Sequence, residues 1–461
     1  MKLADRLEGL RRFVEQRGER AGFDAQDRLR SLRQLLAHAR ERTGIELGFV
    51  LWDGSTVPQD LAANGLAVVI ADEGAVAALV RRPKLETIAS LWVTKRIDIR
   101  GGTLFDLAAE RPKLRTREIR KNLDKKLLLT TLAKFLPVHR GGPWPLEDVP
   151  DEPPAGGDAR KAKKNIAYHY DVSNRFYALW LDSEMVYSCA YFPRGDATTL
   201  EEAQVAKLDM ICRKLRLAEG ERFLDIGCGW GGLVCHAARN YGVRAHGITL
   251  SEAQLELARA KVARLGLADR VTLELKDFRS LDGEYDKIAS VGMFEHVAPD
   301  QHAAYFTRMR ALLRPGGIYL HHAITRPAKR ARLLRRRKRP EFALLTKFIF
   351  PGGELDHIGG SVASLERFGF EVHDVEGWRE HYQRTCRHWH DRLLASYDAA
   401  VAEVGEIKTR MWLVYLAACS IAFERNTVGL FQTVASTRRR GPSGLPPTRE
   451  DLYKKNLLQG G

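Results

Sequence analysis

The chain has 461 residues, enough for two or three domains, and its 44% hydrophobic content is ordinary for a soluble globular fold. No apolar run approaches the ~20 residues that span a bilayer, and the N-terminal MKLADRLEGLRRFVEQRGER lacks the apolar core of a secretory signal. A formal charge of +16 implies an anionic partner, either nucleic acid or an acidic membrane surface, unless it serves solubility alone. Six cysteines (Cys189, Cys212, Cys228, Cys235, Cys386, Cys419) lack C-x-x-C spacing, which argues against a zinc site and for reduced thiols in a cytoplasmic compartment.

Residues 5–42 show the spacing of two amphipathic helices, with Leu7, Leu10, Phe13 and Val14 on one face and Leu29, Leu32, Leu35 and Leu36 on another. IELGFVLWDGS, LAVVIA and VAALVRR read as short strands, with Asp53-Gly54 as a hairpin signal. LETIASLWV reads as a helix, and Gly101-Gly102, following Asp98, as a simple turn. No catalytic constellation occurs in 1–135, so 1–139 is expected to be a small α/β accessory domain. Residues 140–164 are rich in Pro, Gly and charge and read as an exposed, mobile linker to a main domain over 165–461.

NIAYHYDVSNRFYALWLDSEMVYSCAYF (165–192) mixes eight aromatic rings with His169, Asp171, Asn174 and Cys189. That mixture suits a lid and pocket wall, in which rings make an apolar cavity and polar groups fix one end of a ligand. An aromatic core helix is the alternative. Cys189 alone reads as a buried structural thiol.

FLDIGCGWGG (223–232) then gives a buried strand end and a glycine turn, and LVCHAARNYG continues as a helix. This is the first βα unit of a Rossmann-like domain. The loop fits both G-x-G-x-G and G-x-G-x-x-G, leaving a NAD site, an S-adenosylmethionine (SAM) site or a plain tight turn. Asp225 favours SAM, whose amino acid part is cationic, over an anionic pyrophosphate.

VRAHGITLS, VTLELKDF, YDKIASVGMFEHV and RPGGIYLHHAIT read as the next four strands, the fourth of the series ending in Glu295-His296. Ser251 fits a helix N-cap, with Gln254 at the capping-box position and Glu252 as the acid near that strand end. Asp225, Glu295 and His322 fall at carboxyl ends of strands or their loops, where open parallel sheets place ligands. A carboxylate and an imidazole there are candidate acid–base groups.

HYDVSNRFYALWLDSEMVYSCAYF followed by LDIGCGWGG resembles the cyclopropane-fatty-acyl-phospholipid synthase family of SAM-dependent methyltransferases, over roughly 165–453, and KRIDIRGGTLFDL resembles the accessory domain of its bacterial members. The resemblance implies an α/β, Rossmann-like class I SAM methyltransferase domain behind a smaller N-terminal α/β domain. It implies SAM contacts from Tyr187, Ser188, Asp225, Gly227, Gly229, Gly231, Thr249, Leu250, Ser251, Gln254, Asp277, Phe278 and Arg279. It also implies a bicarbonate ion held by Cys189 and Glu295, by His322 and Ile324 of a His-x-Ile motif, and by Tyr382 of REHYQRTCRHW. The implied reaction methylates a cis double bond of a phospholipid acyl chain, and bicarbonate removes a proton to close a cyclopropane. No metal is implied, and a homodimer is compatible.

RPAKRARLLRRRKRP (326–340) carries nine Arg or Lys and no acid, and departs from the family pattern, as do Arg175 and His321. Such a run suits docking of a cytoplasmic enzyme on the inner, anionic membrane surface, at ~1 kcal/mol per basic group; no nucleic-acid pocket motif such as N-P-P-Y accompanies it. Residues 385–436 read as long helices that cap the acyl cavity or pack as core, and FQTVASTRRRGPSGLPPTREDLY as a polar tail. Competing readings are a sibling enzyme giving methylene or methyl-branched chains, a small-molecule N-methyltransferase, and a non-enzymatic membrane-binding protein.

Overall fold

A computed structural model describes residues 24–110, 118, 123–146, 173–328 and 355–453. Two compact units emerge: Met1–Asp151 with Glu406–Val414, and Glu152–Gly405 with Tyr415–Gly461.

In the first unit, helix α1 (Ala25–Thr43) begins where the Asp24 carboxylate accepts the Asp27 N–H at 2.6 Å. The face carrying Leu7 lies outside the described residues. Strands β1 (Gly48–Val50), β2 (Thr56–Val57), β3 (Ala67–Ile70) and β4 (Ile97–Arg100) form a sheet in the order β2-β1-β3-β4. β1 and β2 make the hairpin expected at Asp53-Gly54, with Gly54 at φ +83°. VAALVRR is not a strand. It lies in helix α2 (Glu73–Arg81), because Asp72 caps the Ala75 N–H at 2.9 Å and three alanines outweigh the two valines in helix preference. Helix α3 (Leu85–Val93) follows as read. The core gathers Leu32, Leu51, Val76, Leu91, Phe135 and Trp144. Trp144 and Leu146 fall within the stretch read as exposed linker, yet both are buried. The guanidinium groups of Arg96 and Arg140 lie 5.2 and 4.7 Å from the Trp144 ring.

The second unit is built on seven strands: β5 (Arg222–Ile226), β6 (Arg244–Thr249), β7 (Val271–Leu275), β8 (Tyr285–Val291), β9 (Leu313–Thr325), β10 (Phe370–Gly377) and β11 (Gly429–Thr437). Their order is β10-β11-β9-β8-β5-β6-β7. Strands β5 to β9 run parallel; β11 is antiparallel to both β9 and β10. Such a sheet needs apolar cover on both faces. Phe223, Ala289, Leu320 and Val434 pack on one side against helices α4 (Leu200–Leu215), α5 (Gly232–Tyr241) and α6 (Glu252–Arg264). Leu224, Ile288 and Tyr319 meet Tyr305 and Phe306 on the other.

Two expectations are corrected here. FQTVAST is not a polar tail: it belongs to β11, held between β9 and β10, and the 385–436 region therefore ends in a strand rather than in helix. Its burial runs without a break from Gln432 to Thr437, as in a strand covered on both faces. Likewise β8 stops at Val291, and Glu295 and His296 sit in a single 3₁₀ turn, Phe294–His296, beyond it. Two of the remaining helices bear on the site and on the division into units. Helix α7 (Arg379–Ala395) carries Tyr382, and helix α8 (Glu406–Glu424) is divided, its first residues to Val414 belonging to the first unit. There Arg410 lies 4.2 Å over the Trp92 ring, donates from Nε to the Trp92 carbonyl at 2.7 Å, and donates from Nη2 to Asp98 Oδ1 at 3.0 Å.

Candidate active site

The glycine loop leaves β5 and turns with Gly227, Gly229 and Gly231 at φ +82°, +55° and +80°, conformations that side chains disfavour. Added bulk at Gly231 would also press on the Ala258 methyl, 3.3 Å from a built Cβ. A cavity opens over the carboxyl ends of β5, β6 and β8. Of the residues assigned to SAM, Tyr187, Ser188, Asp225, Gly227, Gly229, Thr249, Leu250, Gln254, Asp277, Phe278 and Arg279 line it. Gly231 and Ser251 do not; each starts a helix instead, Gly231 as the N-cap of α5 and Ser251 of α6. Gln254 forms no capping box. Its Oε1 accepts the Thr249 hydroxyl at 2.8 Å, which holds the β6 turn from within. Glu252 is exposed and does not line the cavity.

Asp225 fits the cationic end of SAM. It is buried, and its Oδ1 has no hydrogen-bond partner among the described residues. Burial drives its pKa up to about 7 against the pull of the Lys207 ammonium. Asp277 grips Arg279 with both oxygens, at 2.9 and 2.7 Å, and fixes the next turn of the wall.

Lys207 went unread in the sequence. It projects from α4, which starts in a Thr199/Glu202 capping box. Its Nζ donates to Ser188 Oγ at 2.8 Å, and one turn earlier Gln204 Nε2 donates to the carbonyls of Val186 and Ser188 at 3.1 and 3.0 Å. These bonds pin the 186–189 segment under the cavity. Burial draws the Lys207 pKa down to about 8, while Asp182, Cys189 and Asp225 oppose that fall. The same ammonium acts on Cys189 and on His322. Lys207 lines the cavity, and its charge is thus felt by two members of a second cluster, most of it buried.

That cluster contains the residues assigned to bicarbonate. Glu295 Oε1 accepts the Ile324 N–H at 2.6 Å, while Oε2 is buried without a partner among the described residues. Burial raises Glu295 to about 7 against that hydrogen bond. Cys189 points its Sγ at the carbonyls of Ala190 and Trp378, at 3.2 and 3.8 Å, and burial pushes the thiol well above its usual range. It remains a thiol and is not set up as a nucleophile. His322 meets the edge of the Trp378 ring at 5.9 Å between centroids. Tyr382 stacks on Phe423 at 4.7 Å; burial, then Cys386, Cys189 and Glu295, keep its hydroxyl protonated. Cys189, His322 and Tyr382 all meet Trp378, Tyr382 by donating its backbone N–H to the Trp378 carbonyl at 3.1 Å, while Glu295 is tied to Ile324; none of the five lines the cavity. His321 faces the other side of the sheet, with its Nδ1 3.0 Å from Tyr319 Oη.

Gln432, also unread, contacts His322: its Nε2 lies 3.0 Å from His322 Nδ1. The signal lay in GLFQTVAST, once recognised as a strand. The described rings of the 165–192 stretch are mostly core: Phe176, Tyr177 and Trp180 are buried against one another and against Trp389, and of these four none lines the cavity, which Tyr187 reaches, 5.1 Å from Trp389. Trp230 also lines it, 5.0 Å from Tyr177 and bonded through Nε1 to Asn174 Oδ1 at 2.7 Å. His169, Asp171, the FIFPGG segment and residues 329–340 of the basic run lie outside the described residues. No helix among the described residues is long and apolar enough to cross a membrane.

Comparison with known proteins agrees with the fold of a SAM-dependent methyltransferase. The mycolic acid cyclopropane synthetase family model matches residues 158–433. A probable fatty acid methyltransferase of Pseudomonas putida is 37% identical over 426 residues, covering 91% of this chain and 99% of its own. The cyclopropane-fatty-acyl-phospholipid synthase of Escherichia coli K12 is 39% identical over 271 residues, 58% of this chain and 66% of its own. Among solved structures, the cyclopropane synthase MmaA2 from Mycobacterium tuberculosis superposes with a TM-score of 0.56 at 31% identity, covering 60% of this chain and 98% of that one. The mycolic acid cyclopropane synthase CmaA1, complexed with S-adenosylhomocysteine and CTAB, gives 0.57 at 32% identity, covering 60% and 98%.

Proposed function

The chain belongs to the mycolic acid cyclopropane synthetase family of SAM-dependent methyltransferases, and from that premise we propose that it converts cis double bonds in the acyl chains of membrane phospholipids to cyclopropanes, with bicarbonate as the base. One observation carries the proposal. Glu295 is a buried carboxyl with one oxygen held by the Ile324 N–H and the other without a partner among the described residues, in a cluster with Cys189, His322 and Tyr382 that feels the charge of Lys207 in the cavity wall.

SAM, when bound, supplies an electrophilic methyl group. Asp225 would take its ammonium, the glycine loop would lie against its methionyl part, and the Asp277–Arg279 turn would flank its adenine. Methylation of the olefin leaves a carbocation on the acyl chain, which water would quench. Tyr187 and Trp230, which line the cavity and are backed by the buried rings of Tyr177, Trp180 and Trp389, would keep water from that cation. Bicarbonate, when bound, supplies a base and an anion close to the developing positive charge. Glu295 Oε2, the Cys189 thiol, the Ile324 region and Tyr382 would orient it. With a pKa near 7, Glu295 can hold or pass a proton at Oε2 at physiological pH. Loss of a proton from the added methyl closes the ring.

The same residues would serve a sibling reaction in which a different proton leaves and an alkene results, carrying the added carbon as a methylene or a methyl branch. The name of the Pseudomonas putida relative, a probable fatty acid methyltransferase, favours keeping that second reading. The test is transfer of labelled methyl from SAM to vesicles of monounsaturated phospholipid, followed by mass spectrometry of the lipid. A gain of one CH₂ with no remaining double bond is expected. A retained alkene, with the added carbon as a methylene or a methyl branch, would replace the ring with the sibling product, and no change in the lipid would overturn the lipid reading in favour of a small amine acceptor. Glu295→Gln keeps the shape but cannot take up a proton; it is expected to lower kcat at least about 100-fold, within the range of a lost acid–base group, while SAM affinity stays unchanged.

A further inference from the structure

Strand register sets Glu376 of β10 opposite Gln432 of β11, and Gln432 opposite His322 of β9. The three side chains therefore lie in a row on one face of the sheet. Lys214 reaches this row from α4 with its side chain fully buried. Its ammonium pairs with the Glu376 carboxylate, lies 5.0 Å over the Trp378 ring, and donates to Gln432 Oε1 at 2.7 Å.

An ammonium has protons to give and no lone pair to offer, so it can face only the oxygen end of an amide. The nitrogen end of Gln432 must then point the other way, to His322 Nδ1 at 3.0 Å. An amide NH₂ also only donates. The imidazole nitrogen that meets it is consequently the unprotonated one, and in a neutral ring the proton sits on the other nitrogen. The ring is neutral: burial, then Lys207 and Lys214, pushes His322 well below its usual pKa.

We infer that Lys214 and Gln432 are positioning residues that fix His322 as its Nε2–H tautomer, so that His322 donates a hydrogen bond into the buried cluster and does not serve as a base. Both ring nitrogens are then committed, Nδ1 as an acceptor from Gln432 and Nε2 as a donor. The proton released in ring closure must leave through another group. The inference deepens the anion-assisted reading above by giving His322 the role of donor to that anion, and its first test is independent of whether the anion is bicarbonate.

That first test uses the full-length wild-type protein carrying ¹⁵N-histidine, with His322→Gln to assign the ring signals. Long-range ¹H–¹⁵N correlations report which nitrogen bears the proton. Protonated Nε2 with bare Nδ1 is expected; a protonated Nδ1 overturns the inference. The second test is kinetic. Lys214→Met frees the amide to rotate, and kcat is expected to fall about tenfold, the factor carried by one lost hydrogen bond. The bicarbonate concentration giving half-maximal rate should rise, and the SAM dissociation constant should stay the same. Lys214→Arg retains a donor to Gln432 and should recover most of the rate. A folded Lys214→Met protein with wild-type kcat and an unchanged tautomer overturns the inference. If that variant does not fold, the wild-type spectrum decides. Wild-type turnover indifferent to bicarbonate, with the Nε2–H tautomer present, would bring down the bicarbonate reading alone and support the tautomer assignment.

Discussion

Asp225 is held in a buried state that a proton or a cation relieves. Leaving a buried carboxylate oxygen unpaired is unfavourable by about 1–3 kcal/mol or more, and the protein meets that by raising the acid to about 7. The sign of the pH dependence follows. Below 7 the free protein holds a proton on Asp225 that must leave before a cation can pair there, so SAM binding releases a proton. Affinity should rise by up to about tenfold per pH unit from 5.5 towards 7 and then level off, before the α-amino group of SAM, with a pKa of about 8, begins to lose its own charge. Calorimetry in buffers of different ionisation enthalpy would show the released proton. Asp225→Asn should bind SAM weakly and without this slope; an unchanged slope would move the titrating group elsewhere. Asp225 could be read from the chain because a strand end before a glycine turn is a local pattern. Lys207 and Lys214 could not, since a lysine on a helix is presumed solvated until tertiary packing buries it.

At the scale of elements, the parallel half of the large sheet was legible because each strand is followed by a glycine turn or a helix start, as at Gly227–Gly231 and at Ser251 before α6. Strand β11 was not. Its residues Gln432, Thr433, Ser436 and Thr437 are polar in composition yet buried between two neighbours, so composition suggested a tail where the ladder made a core strand. The helix α2 error has the same origin in reverse: VAALVRR is apolar enough for a strand, and only the Asp72 cap reveals its start. If β11 is a core strand, Leu430→Ala should destabilise the second unit by about 3 kcal/mol, the usual effect of removing a buried leucine side chain. Leu430 is 1% exposed. Urea unfolding followed by circular dichroism measures this, and a change below about 0.5 kcal/mol, the range of surface substitutions, would be incompatible with that placement.

For the whole molecule, the charge of +16 is the property that sequence states and packing leaves unexplained. Part of it is concentrated at 326–340, of which Arg326 is described and donates from Nε to the Leu355 carbonyl at 2.9 Å. Docking on an anionic bilayer predicts that replacing Arg332, Arg335, Arg336 and Arg337 with Gln weakens co-sedimentation with anionic vesicles at low salt, at ~1 kcal/mol per group. It also predicts that raising the ionic strength reproduces the effect in the wild type. Sedimentation that ignores both changes would end the proposal.

The seat of Arg410 on Trp92 and Asp98 has a practical bearing on how the chain can be dissected. Nine residues that arrive more than two hundred positions later complete the N-terminal unit. A gene cut at residue 151 would yield a fragment with an indole face and a carboxylate stripped of their only guanidinium among the described residues, and the missing peptide, 406–414, would have to be added back or fused for that fragment to reach its full melting temperature.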